Sequence, residues 1–347
     1  MSGAALTSPP SPSSAPRASA RASRERLRVL PLPVTGQEVV LLVVIAALWV
    51  VLGATTPAFL SAGSVVPLLV ATAPIALVGV GVTIVIITGG IDVSVGAVVA
   101  VCAVVTATAM VSSDVPVPLA VLLSVAVGGV LGLVNGALIA YGRVQAIIIT
   151  FGTMNIFRWL CLQVFGGSTV DGIPPSLGVF GRGVDGRTLG VPHSFLLVVV
   201  VAALVWTYLR HTPGGRHFYA IGGDPVAARL AGVAVQRRTL LAYVLTGLLA
   251  GLAACFVIAQ GTATLAPNVG LGLELEAIAA VVIGGTSIMG GRGSVLGTVL
   301  GALLVQTVAS GVTQLGWPSQ LSDLFIGLFI IVAVGADLLR QRARRTA

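Results

Sequence analysis

Apolar runs of about 20 residues follow one another from residue 39 to residue 339, and few folds accept such a chain. Only 9% of the 347 residues are charged, against 56% hydrophobic. Soluble domains carry roughly 25% charged residues, so this chain lacks the polar surface that a water-soluble body of its size must show. Helices of about 20 apolar residues match the hydrocarbon thickness of a bilayer. They also satisfy their backbone hydrogen bonds internally, as lipid requires. The sequence therefore predicts an all-α integral membrane protein with about ten transmembrane helices, near residues 39–59, 65–88, 94–113, 118–140, 146–165, 194–210, 239–260, 275–290, 294–315 and 321–339.

The basic residues orient these spans. All 19 are arginine, and the net charge is +8. Excess basic charge can serve nucleic-acid binding, but here the arginines flank apolar runs and read as topology signals, with no nucleic-acid partner. With the N-terminus inside and ten spans, sixteen of the 19 fall in cytoplasmic segments. They are the five from Arg17 to Arg28, then Arg143, Arg210, Arg216, Arg229, Arg237, Arg238 and Arg292, and the four from Arg340 to Arg345. Only Arg182 and Arg187 fall outside, and Arg158 lies within a span. Both termini are thus expected in the cytoplasm.

Three zones follow. Residues 1–37 are rich in Ser, Pro, Ala and Arg, cannot bury enough surface to order themselves, and are expected to form a disordered cytoplasmic tail. The run that follows is too long for a signal-peptide core and lacks a clear small-x-small cleavage site, so it reads as an uncleaved first span. Residues 38–340 form the transmembrane domain, and 341–347 a basic cytoplasmic C-terminus. Cys102, Cys161 and Cys255 lie singly inside apolar runs, and His193, His211 and His217 show no ligand spacing, so no metal site is expected.

Of the 44 glycines, three sets stand at helical spacing: Gly128, Gly132 and Gly136; Gly247 and Gly251; Gly293, Gly297 and Gly301. Such faces let helix backbones approach closely in lipid, and close-packed faces also suit helices that slide during transport. The polar residues inside the apolar zone are fewer. Gly89-Gly90-Ile91-Asp92-Val93-Ser94-Val95-Gly96 interrupts some fifty apolar residues, where a carboxylate is expensive unless paired or wet. Two readings stand side by side. Asp92 or Ser94 caps the next helix, or the segment is a broken helix lining a water-filled path. Asn135, Asn155, Arg158 and Gln163 are further candidates for a polar lumen. Asn135 adjoins Gly136, so interhelical hydrogen bonding fits it equally, and Arg158 needs a carboxylate or solvent.

Gly285-Thr286-Ser287-Ile288-Met289-Gly290-Gly291-Arg292 imitates a phosphate-binding loop but lacks the lysine followed by Ser or Thr. No ATPase signature occurs elsewhere. The chain reads as non-catalytic and cofactor-free, and these glycines read as a tight cytoplasmic turn between two spans.

A polar island lies between the apolar runs ending near 210 and starting near 239, set among five arginines. Gly222 and Gly223 lead into Asp224, a good N-cap, and Pro225 suits a first helical position. Ala227, Ala228 and Ala231 would give a shallow face for a partner, Arg229 would point charge toward it, and Gly232 would end the helix. Such a segment belongs in the cytoplasm, against another protein.

Four ordered segments carry a family resemblance: Gly89–Gly96, Gly132-Leu-Val-Asn-Gly136, Tyr219–Gly232, and Glu276–Ser287 followed by Gly290–Ser294. Over residues 40–340 the chain resembles the ribose-type sugar permeases of bacterial ABC importers. The resemblance implies a vitamin-B12-importer-like architecture in the bacterial plasma membrane, paired as a homo- or heterodimer. It further implies a cytoplasmic ABC ATPase, docked between spans six and seven, and an extracytoplasmic sugar-binding protein. Val170–Pro175 and Asn268–Glu274 resemble the autoinducer-2 and rhamnose permeases of that family. The competing class is a stand-alone secondary transporter or channel, which calls for midplane coupling carboxylates and inverted repeats. Asp92 is the one acid clearly flanked by apolar spans on both sides, and no repeat is evident.

Overall fold

The computed structural model describes residues 36–345 except 167, 182, 184 and 262, with side chains through Gly335. Nearly all of the expected tail over 1–37, Arg182, and the side chains of the basic C-terminus lie outside the described residues.

The protein is all-α: twelve helices occur among the described residues. Eight are long and apolar enough to cross a membrane. They are α1 (Gly36–Thr55), α2 (Ala62–Ile87), α3 (Val95–Ser113), α4 (Val117–Gly142), α5 (Ala146–Phe165), α6 (His193–His211), α9 (Val235–Gln260) and α11 (Val295–Gln314). Two short helices, α7 (Pro213–Gly223) and α8 (Pro225–Leu230), separate α6 from α9. The last helix, α12 (Gln320–Arg345), has a shorter apolar part, Gln320–Gly335.

One expected span is not a full span. The run at 275–290 folds as α10 (Leu273–Ile283), only 11 residues long. That is about 16 Å of helix, roughly half the hydrocarbon thickness of a bilayer. The chain leaves the helix at Gly284 and Gly285, the latter at φ +92°, and turns through Gly290 and Gly291, both left-handed, before α11 begins. Ser287 N–H donates to Arg292 O at 3.0 Å across this turn, and the phosphate-loop imitation is this hairpin between α10 and α11.

The core lies around α2, α3 and α9, while α1, α4, α5 and α6 expose most of their apolar surface. The glycine faces find each other. A methyl group on Gly132 would overlap Tyr243 O, one on Gly136 would sit 2.9 Å from Leu240 O, and one on Gly247 2.9 Å from Gly132 Cα. Ser124 Oγ seals the same contact with a 2.6 Å bond to Gly251 O. The two sets on α4 and α9 are thus one interface, while Gly297 and Gly301 bring α11 against α10 at Gly284 and Ala280. At one end of the bundle lie the start of α1, the end of α2, α7, α8 and the α10–α11 turn. At the other end, β1 (Val170–Asp171) pairs antiparallel with β4 (Thr264–Leu265), and β2 (Arg187–Thr188) with β3 (Val191–Pro192).

Candidate functional site

The polar island forms α7 and α8 by local capping chemistry. Thr212 caps α7, its hydroxyl accepting from Gly215 N–H at 3.0 Å, with Pro213 at the first position. Asp224 caps α8, accepting from Val226 N–H at 2.8 Å and Ala227 N–H at 3.0 Å, with Pro225 behind it. A proline there loses no bond, because that N–H has no helical partner. Gly232 at φ +83° ends the unit, and Val233 N–H donates to Ala228 O at 3.0 Å. Gly222 and Gly223 close α7.

The outward face differs from the one expected. Ala228 is buried against Ile221 and Val233, so it belongs to the inner side of α8. Its small side chain is what lets this six-residue helix settle on the end of α7. The side chains that face outward are Val226, 65% exposed, Leu230, 84% exposed, and Ala227 and Arg229 between them.

Asp92, Ser94 and Asn135 come together in a buried cluster. Asp92 Oδ1 accepts from Ser94 N–H at 2.9 Å and from Ser94 Oγ at 2.6 Å. Asn135 Nδ2 on α4 donates to Ser94 Oγ at 2.7 Å. Ser94 stands at the N-cap of α3 but makes no capping bond; its hydroxyl ties the turn to α4 instead. Thr150 Oγ1 of α5 donates to Ile91 O at 3.2 Å. The 89–94 turn is therefore held by α4 and α5. Asn135 Oδ1 and Tyr243 Oη of α9 are buried in the same region without hydrogen-bond partners, and a methyl on Gly90 would stand 2.6 Å from that hydroxyl.

Two other expected path residues lie apart from this cluster. Asn155 is exposed, and its Nδ2 donates to Phe151 O of its own helix at 2.8 Å. Arg158 is half-buried twelve residues into α5, about 18 Å from its start. Its Nη1 donates to Val269 O at 2.7 Å. A backbone carbonyl, rather than a carboxylate, meets this guanidinium. That carbonyl belongs to the segment preceding α10, where a methyl on Gly270 would sit 2.7 Å from Gly96 O.

Three residues with structural consequence escaped sequence reasoning. Glu38, 1% exposed, accepts from Ser294 Oγ, tying the start of α1 to the cap of α11. Its signal was a lone acid at the head of an apolar run. Tyr219 Oη of α7 donates to Gly293 O at 3.4 Å; burial raises the pKa of this hydroxyl against the opposing pull of Arg210, which keeps it a neutral donor. Tyr243, inside an apolar run, gave no signal.

The family model for the permease component of the branched-chain amino acid transport system matches residues 64–334. Ribose import permease protein RbsC of Escherichia coli (strain K12) is 37% identical over 301 residues, covering 86% of this chain and 93% of that protein. Its Bacillus subtilis (strain 168) namesake is 39% identical over 290 residues, covering 83% and 88%. Autoinducer 2 import system permease protein LsrC of Enterobacter sp. (strain 638) is 35% identical over 303 residues, covering 87% of each. No solved structure matches the chain. The match over most of the α1–α12 bundle, in segments that include the 89–94 turn and the α7–α8 unit, places this chain in the family of the branched-chain amino acid transport permease component, among its ribose-type ABC permeases.

Proposed function

We propose that this chain is the membrane-spanning permease subunit of an ATP-driven sugar importer, carrying the translocation path and leaving ATP hydrolysis to a partner. The observation that carries the reading is the α7–α8 unit. Two capped helices lie at one end of the bundle among Arg210, Arg216, Arg229, Arg237 and Arg238, α7 packed on the bundle through Phe218 and α8 leaving Val226 and Leu230 uncovered. Uncovered apolar side chains one helical turn apart, on a segment that the arginine distribution assigns to the cytoplasm, suit a protein partner. A cytoplasmic ABC ATPase is the partner that fits the family.

The names of the relatives, which import ribose and autoinducer 2, support a monosaccharide or autoinducer 2 as cargo. The remaining parts of the proposal are a bacterial plasma-membrane location with both termini cytoplasmic, a second permease subunit in a vitamin-B12-importer-like pairing, and an extracytoplasmic sugar-binding protein. Along the path, Asp92, Ser94 and Asn135 form an inner gate, Arg158 lines the middle of the membrane, and Asn155 faces outward from the single chain toward the second subunit.

The test is co-purification. Tagged permease extracted from its native membrane in mild detergent should bring down an ABC-type ATPase in stoichiometric amount. Permease recovered folded and monodisperse without any ATPase, across detergents, would contradict the reading.

A further inference from the structure

Three glycine turns, far apart in the sequence, meet at the α7–α8 end of the bundle. Gly222 lies near the end of α7, and a methyl there would overlap both Ile87 O, at the end of α2, and Gly291 N. Gly291 N–H itself donates to Ile87 O at 2.9 Å. A methyl on Gly290 would stand 3.0 Å from Gly89 N and 3.1 Å from Gly222 Cα, and one on Gly291 3.1 Å from Gly223 N. The backbones of the 87–90, 222–223 and 290–291 turns therefore touch with no side chain between them. Gly223, by contrast, has open space where its Cβ would be. The first of these turns runs directly into Asp92, and its Gly90 lies against Tyr243 Oη of α9.

Side chains absorb a small displacement by changing rotamer; backbones in direct contact cannot, and close-packed elements move as units. We propose that Gly222, Gly290 and Gly291 are positioning residues for coupling. They form a backbone junction through which a displacement of the ATPase-docked α7–α8 unit is passed to the turn that carries Asp92. The inference rests on the reading of α8 as the ATPase dock. It adds that the dock and the proposed gate are joined by contact between turns, that a Cβ at Gly222 has no room there, and that one at Gly290 or Gly291 would press the facing backbone at 3.0–3.1 Å.

Hydrogen exchange on the unmodified transporter tests it without any variant. The assembled permease–ATPase complex is compared nucleotide-free and with ATP bound. Amides of residues 219–232 and of residues 84–96 should change protection together. A change at 219–232 with none at 84–96 overturns the junction while leaving the dock intact. No change at 219–232 removes the dock, and the junction with it. Variants supply the functional arm. Gly222→Ala should still bind the ATPase yet lose about tenfold in uptake per ATP hydrolysed, within the usual range of a coupling free energy. Gly327→Ala, in the apolar part of α12 with open space where its Cβ would be, should behave as wild type. Gly291→Ala, whose methyl would stand 3.1 Å from Gly223 N at a left-handed φ of +73°, serves if Gly222→Ala fails to fold. Folded Gly222→Ala or Gly291→Ala with uptake per ATP within about twofold of wild type would refute the proposal.

Discussion

Leu230→Ala on α8 should weaken ATPase binding while leaving the permease fold untouched. The side chain is 84% exposed, so little of the chain's own packing rests on it. Docking would cover it, and the alanine variant would then forgo three buried carbon groups. At about 0.8 kcal/mol per buried CH₂, scaled by the fraction newly covered, the loss is about 2 kcal/mol. Each 1.4 kcal/mol is a factor of ten, so the dissociation constant should rise about 30-fold. Val226→Ala gives up two carbons from a side chain 65% exposed, about 1 kcal/mol and about sixfold. The assay is titration of nanodisc-held permease with the purified ATPase, read by interferometry, alongside thermal unfolding of each variant. Leu230→Ala with an unchanged melting temperature and a dissociation constant within about twofold of wild type would refute the assignment of this face as the dock.

Asp92→Asn keeps an acceptor for Ser94 but exchanges the buried carboxyl for an amide that brings two N–H donors into the cluster. Uptake should fall with normal insertion and ATPase binding. If the amount of folded protein alone falls, the cluster is a structural tie and not a gate. Gly132→Ala drives a methyl into Tyr243 O at the α4–α9 contact, and overpacking of this kind costs about 1–3 kcal/mol; a melting temperature equal to wild type in the same detergent would contradict the packing described. A reporter fused after Arg345 should be cytoplasmic and one inserted at Asp185 external. Finding both on one side of the membrane would overturn the proposed topology.

The features legible in the sequence were those set by local chemistry. Apolar run length marked the spanning helices, because lipid leaves the backbone few alternatives. The ends of α8 were readable because Asp224, Pro225 and Gly232 act within a few residues of themselves. Its outward face was not, because the burial of Ala228 depends on Ile221 in the preceding helix and Val233 beyond the turn. The shortness of α10 escaped because Ile288 and Met289 carry the apolar run past Ile283, while the break at Gly284–Gly285 is a backbone event that hydropathy does not register. The glycine sets announced close approach but not the partner, so the match of Gly128–Gly136 to Gly247–Gly251 emerged only in three dimensions. Arg158 pairs with a main-chain carbonyl, and such a partner leaves no trace in side-chain identity.

The central claim, that this chain forms the path of an ATP-driven importer, is most directly tested by flux in proteoliposomes. Permease reconstituted with its ATPase and its sugar-loaded binding protein should accumulate labelled sugar when ATP is supplied on the α7–α8 side, and should carry none without ATP or without the ATPase. Sugar uptake by the permease alone, driven by a sodium or proton gradient and indifferent to ATP, would contradict the account and establish a stand-alone secondary transporter.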